Sequence, residues 1–144
     1  MYIRDSQITV LMAKSHAKLN LTINKIVGGV NMTQKARVVL FAEFQKDILK
    51  HFWIEEKSIF GLVDHDPKIT EAVRELYKDH IKIVLIISEI EKELTTGASG
   101  KLGDFIEIMR EHTRMENEIF YPYLDMKLSP ENREEVLNII KNDL

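Results

Sequence analysis

The chain has 144 residues, 44% of them hydrophobic and 30% charged, with a formal net charge of −3. That is the size of one ordinary domain and the composition of a soluble globular protein, which sets aside a disordered or membrane-spanning chain. Lys and Arg are interspersed with Asp and Glu, so no basic run for nucleic acid exists, and the absence of cysteine excludes disulfides, thiolate metal sites, ligated iron–sulfur clusters and a catalytic thiol.

The opening stretch MYIRDSQITVLMAKSH lacks the basic segment, apolar run and cleavage site of a signal peptide, so the expected compartment is the cytoplasm. Apolar residues then recur at steps of three and four, the helical period, almost throughout. A first helix is expected from about Asp5, as N-cap, to the pair Gly28 and Gly29, with Met12, His16, Leu19, Ile23 and Ile26 as its inward stripe. A second runs from about Thr33 to Phe60, ending at Gly61, with Phe41, Phe44, Ile48, His51, Glu55 and Leu62 inward.

After the loop DHDPK, a third helix is expected to start at Asp66 with Pro67 as its first residue and to end near Gly97. Its stripe is Val73, Leu76, His80, Ile83, Ile87, Ile90 and Leu94; the β-branched run IKIVLII lies between helical flanks and reads as helix buried on most sides. GASG separates it from a fourth helix, about Leu102 to Asp125, with Phe105, Met109, His112, Glu116, Ile119 and Tyr123 inward. SPENREEVLNIIKN reads as a short fifth helix, about 129–142, capped by Ser129 with Pro130 following. Short connections make neighbours antiparallel. The fold expected is therefore all-α, an up-down-up-down four-helix bundle over about 5–125 with a short C-terminal fifth helix, one domain spanning 1–144.

Each of the four long helices carries one histidine in its core stripe. Counted alternately up and down the bundle at about 1.5 Å per residue, the four lie about 16, 14, 20 and 20 Å from the same end, a layer about 6 Å thick. The second and fourth helices, diagonal in such a bundle, add Glu55 and Glu116 four residues after the histidine, one turn away on the same face. Taken singly, each histidine reads as a core residue satisfied by a hydrogen bond, and each H-x3-E as an ordinary helix pair. Taken together, six ionisable groups are a burden that an apolar core does not carry unless a cation neutralises them. Imidazole suits iron, zinc, copper and nickel, and six ligands of which two can bridge fit two ions better than one tetrahedral zinc.

His16, HFWIEE with His51 and Glu55, KDHIKI with His80, and EHTRMENEIFYPYL with His112 and Glu116 resemble the hemerythrin-like, or HHE cation-binding, domain over about 5–125. The resemblance implies that His16 and His51 bind one iron and His80 and His112 the other, with Glu55 and Glu116 bridging. The dioxygen-carrying members of that family have a paired H-x3-H on the third helix and a bridging aspartate on the fourth. Here the third helix offers His80 alone, with Leu76 and Val84 at the four-residue steps, and the fourth has H-x3-E. One iron is thus expected to lose a protein ligand, and the pattern is similar to the branch that includes iron-centre-repair proteins and iron-sensing hemerythrin domains. The repair proteins usually add an N-terminal cysteine-bearing segment, which this chain does not show.

Among the remaining residues, His65 reads as surface. Glu56, rotated about 100° from Glu55, is expected to face solvent or a neighbouring helix, with a substitute ligand role as the alternative. Tyr77 reads as core packing, with a role at the metal through its phenol as the alternative, and Trp53 as packing beneath the fifth helix. The function expected is a metal-binding protein holding two non-haem, carboxylate-bridged iron ions, with zinc or nickel as substitutes, for sensing dioxygen, nitric oxide or iron, or for iron handling. The small diatomic ligand is its expected partner, with no nucleic acid, no membrane and no named protein partner. The alternative is a helical interaction module whose metal is structural or absent.

Overall fold

Apolar residues at helical spacing, punctuated by Gly, Pro and capping side chains, produce helices whose ends the sequence marks. The computed structural model describes residues 7–28, 31–63, 66–98 and 100–144; the expected N-cap Asp5, Gly29 and His65 lie outside them. Helix α1 is Gln7–Val27 and α2 is Gln34–Ile54, the latter capped by the Thr33 hydroxyl accepting from the Ala36 amide at 3.1 Å. Helix α3, Thr70–Thr95, ends where Gly97 takes φ +84°, and the amides of Gly97 and Ala98 close back on the carbonyls of Leu94 and Glu93. Helices α4, Gly100–Met115, and α5, Tyr121–Lys127, follow, and α6, Pro130–Asp143, is capped by Ser129 as expected.

Helix α3 starts a turn later than Asp66. The Asp66 carboxylate accepts from the Lys68 amide at 3.0 Å while its carbonyl accepts from the amides of Ile69 and Thr70. Asp66 and Pro67 therefore build a turn that leads into the helix instead of capping it.

The second difference lies in the middle of the second and fourth long helices. Each contains one wide π-helical turn, Glu55–Ile59 after α2 and Glu116–Phe120 between α4 and α5, and each begins on the glutamate of an H-x3-E. A π turn inserts one extra residue and moves every later side chain about 100° around the axis. Hence Phe120 and Leu124 are buried where Ile119 and Tyr123 were expected, with Ile119 50% exposed, and Val63 is buried where Leu62 was expected. A 3-10 turn, Phe60–Leu62, ends the second long helix. The inward stripes of α1 and α3 are buried at every expected position.

Helix α1 packs on α2, α2 on α3, α3 on α4, and α4 with α5 back on α1, so the four long helices form a ring with α2 and α4 on a diagonal. This is the all-α bundle with a short C-terminal helix that the pattern implied. Helix α6 sets Val136, Leu137 and Ile140 into the core beside α1 and the Glu55–Ile59 turn. Trp53 is not beneath it. Two positions from His51 it lies on the opposite side of α2, and it is 61% exposed. Among the described residues no helix is long and apolar enough to cross a membrane.

Candidate metal centre

The apolar core is split in two. One cluster gathers Ile8, Met12, Phe60, Leu76, Phe120 and Leu124, the other Leu19, Ile26, Phe44, Ile48, Ile87 and Phe105. Between them lie His16, His51, Glu55, His80, His112 and Glu116, all six of the residues picked out by pattern, and each is buried. The imidazoles meet in pairs, His16 with His51 and His80 with His112, each at 5.0 Å between ring centroids.

The two nitrogens of each ring face different worlds. Every Nδ1 points outward to a partner on the preceding helix of the ring: His51 to Ser15 Oγ at 3.3 Å, His80 to Glu56 Oε2 at 2.7 Å, His112 to Asp79 Oδ2 at 3.1 Å, and His16 to Asn117 Oδ1 at 2.8 Å. Each partner is the sequence neighbour of a ligand candidate on its own helix. Carboxylate and amide oxygens only accept, so the protons of His16, His80 and His112 sit on Nδ1 and a lone pair is left on Nε2.

All four Nε2 atoms point inward, where among the described residues they have no hydrogen-bond partner; nor do Oε1 of Glu55 and both carboxylate oxygens of Glu116. Yet these atoms stand close together. Glu116 Oε1 is 3.1 Å from His16 Nε2 and 3.4 Å from His112 Nε2, and Glu55 Oε1 is 3.4 Å from Nε2 of both His51 and His80. Lone pairs facing lone pairs repel unless a cation stands between them. Two donors on one ion with bonds of about 2.1 Å lie about 3.0–3.4 Å apart, the edge of an octahedral or tetrahedral shell, so the pocket fits a metal. The donors fall into two overlapping groups, Glu55, His80, His112 and Glu116 in one and His16, His51 and Glu116 in the other. Glu55 stands in the group with His80, and Leu76, at the four-residue step before His80, lies in the apolar core.

The two glutamates differ in a way the pattern did not show. The Tyr121 hydroxyl, fully buried, donates to Glu55 Oε2, which leaves that carboxylate one free oxygen against two on Glu116. Counting from the histidine, Tyr121 occupies the place that Phe60 takes on the other H-x3-E helix. Phe60 has no hydroxyl to offer.

Electrostatics follow from burial and crowding. Burial, then the neighbouring His51, hold His16 down at about 4, and burial lowers His51 as well. Burial works against a charge on His80 too, but the Glu55 and Glu56 carboxylates outweigh it and raise that imidazole above 6.5. Burial and the Glu55 charge push Glu116 well above the usual carboxylate range; Glu55, despite its own burial, is held well below it by His51, Glu116 and His80.

These directions fix the proton traffic. In the metal-free pocket Glu116 holds its proton to higher pH than an ordinary carboxyl, and His80 holds its second proton more firmly than His16 or His51 does, whereas ligation requires both groups without them. Metal uptake at pH 7 is expected to release protons, and affinity to rise with pH through the raised His80 value. Calorimetric titration in two buffers of different ionisation enthalpy reads this directly; identical heats in both buffers would contradict it. His16, depressed from 6.5 to about 4, binds fewer protons folded than unfolded across that window, so its contribution to metal-free stability is full above pH 6.5 and lost as pH falls toward 4.

Glu56 faces the neighbouring helix, one of the two placements expected, where its Oε2 holds His80 Nδ1. Tyr77 donates to the Glu56 carbonyl at 3.3 Å and packs its ring on Phe60, which places its phenol beside the residue that holds His80. Ser15, Asp79, Asn117 and Tyr121 had not been singled out. For the first three the signal available was adjacency, because a residue next to a ligand is turned about 100° toward the neighbouring helix.

The family model for the hemerythrin HHE cation-binding domain matches residues 7–124, which span every residue of this pocket. No curated protein and no solved structure matches the chain.

Proposed function

We propose that the chain, which belongs to the hemerythrin HHE cation-binding family, holds a non-haem di-iron centre in this pocket and uses it in the cytoplasm to sense dioxygen, nitric oxide or iron, or to handle iron. The observation that carries the reading is the convergence of four inward imidazole nitrogens on three carboxylate oxygens that have no other partner, sealed between two apolar clusters. His16 and His51 would hold one ion and His80 and His112 the other, with Glu55 and Glu116 between them. A sulfur-free set of imidazoles and bridging carboxylates favours iron, with zinc or nickel able to substitute.

Bound iron would supply one-electron redox chemistry and open coordination positions, since the two groups offer fewer donors than six-coordinate iron accepts. The chain supplies the surroundings. Phe52 stacks on His80 at 3.8 Å and Phe60 at 5.7 Å, and Phe52 stands edge-on to His112, an apolar wall that suits an uncharged diatomic ligand better than an ionic one.

Protein purified in air is expected to carry about two irons per chain and to absorb in the near ultraviolet, as carboxylate-bridged iron does. Metal-free protein with unchanged helix content and unchanged melting on metal addition would overturn the reading and leave a helical interaction module.

A further inference from the structure

The four imidazoles are alike in their inward nitrogens and unlike in their outward ones. His80 and His112 lean on carboxylates, Glu56 and Asp79, whereas His16 and His51 lean on the neutral Asn117 and Ser15. A carboxylate behind an imidazole raises its basicity and strengthens its bond to a metal; an amide or hydroxyl orients the ring without adding charge. Glu55 Oε1 stands 3.4 Å from Nε2 of both His51 and His80, so the two sides share their carboxylates and differ in what stands behind their imidazoles. A surface cavity of about 290 Å³ between α1 and α2 is lined by Ser15 and His51, with Lys18, Thr22, Asp47 and Lys50 around them, so solvent comes close to the weaker side.

From these we infer that the pocket has a resident half, built on His80 and His112, and an exchangeable half, built on His16 and His51, whose metal enters and leaves while the other stays. Glu56 and Asp79 are then positioning residues that act through their histidines. The inference rests on the two-ion reading above and deepens it, because a centre with one labile ion responds to metal supply. Glu116, common to both groups, couples the two halves, so loss of the labile ion alters the surroundings of the resident one.

The test uses the full chain stripped of metal and titrated with cobalt(II), whose visible absorption reports each binding step. Two phases are expected, the tighter one resisting a chelator that removes the looser. Asp79→Asn and Glu56→Gln each weaken the tighter phase by about 10- to 100-fold and leave the looser one in place. Asn117→Asp, which puts a carboxylate behind His16, tightens the looser phase and narrows the gap; a merely structural role for these residues would not produce that gain. Weakening of the looser phase by Asp79→Asn and Glu56→Gln, or no change in either phase, overturns the inference. Should only one ion bind, the two-ion reading fails on the count. The division into a resident and an exchangeable half falls with it, whereas two ions bound in phases that Asp79→Asn and Glu56→Gln do not separate overturn the division alone. Absence of any cobalt binding overturns both.

Discussion

Glu116→Gln is expected to strip the protein of the two ions proposed for this pocket and, at neutral pH, to leave the metal-free fold more stable than the parent. Glu116 belongs to both donor groups, and its Oε1 lies within 3.4 Å of Nε2 of His112 and 3.1 Å of His16. An amide keeps the shape but not the charge, and its nitrogen cannot bridge cations. Since loss of an outer partner alone costs about 10- to 100-fold in affinity, loss of the shared ligand should exceed about 100-fold for each ion.

The stability gain has the opposite origin. Metal-free Glu116 is buried, lacks a hydrogen-bond donor on either oxygen, and has a folded pKa well above 4.5. The folded state then keeps its proton to higher pH than the unfolded state does, which costs stability as pH rises above 4.5. That penalty is absent below pH 4.5, where both states are protonated, and grows as pH rises. Glutamine does not titrate. The variant should therefore be the more stable of the two at pH 7 without metal, match the parent near pH 4, and fall behind it once metal is added. Urea unfolding at the two pH values, with and without metal, checks the crossing; a variant that is less stable without metal at pH 7 would show that Glu116 supports the fold by contacts unrelated to charge.

The same opposition explains which parts of this protein could be read from its sequence. The stripes of α1 and α3 are legible because an uninterrupted α-helix repeats its inward positions, and His16 and His80 fall on them. The H-x3-E pairs are legible because four residues make about one turn, which stacks Glu55 over His51 and Glu116 over His112. Beyond each glutamate the stripe fails, since the π turn adds a residue that no periodicity announces, and Ile119 goes to solvent in place of Phe120. The outer partners are illegible for another reason. Ser15, Asp79 and Asn117 are ordinary polar residues until a neighbouring helix brings a histidine to them, and that is a property of the ring, not of any one segment. Trp53 shows the converse: a large aromatic suggests burial, but its angle from His51 put it outside.

Those π turns also deliver a tie on which the ring's closure depends. Asp125, in the last full turn of α5, is buried and reaches 117 residues back along the chain: its Oδ1 accepts from the Ile8 amide at 3.0 Å, and its Oδ2 from the Thr9 amide at 2.9 Å and the Thr9 hydroxyl at 2.6 Å. The first amides of a helix have no partner within it, and here a carboxylate from another helix supplies one, with the positive end of the helix dipole in its favour. Asp125→Ala leaves the two amides and the hydroxyl without their acceptor, one of the amides deeply buried. Each buried unpaired donor costs about 1–3 kcal/mol, so the total expected is about 3–5 kcal/mol, about 10–17 °C in melting temperature for a chain of this size.

The effect should reach the metal unevenly. Helix α1 carries His16 and Ser15, and Ser15 orients His51, so releasing its start loosens the His16–His51 half while Asp79 and Glu56, on α3 and beside α2, keep hold of His112 and His80. In a cobalt titration Asp125→Ala should weaken the looser phase more than the tighter one, and Asp125→Asn, which keeps acceptor capacity but no charge, should fall between alanine and the parent. Equal weakening of both phases would mean that α1 and α5 move with the whole bundle and not as a separable closure of the ring.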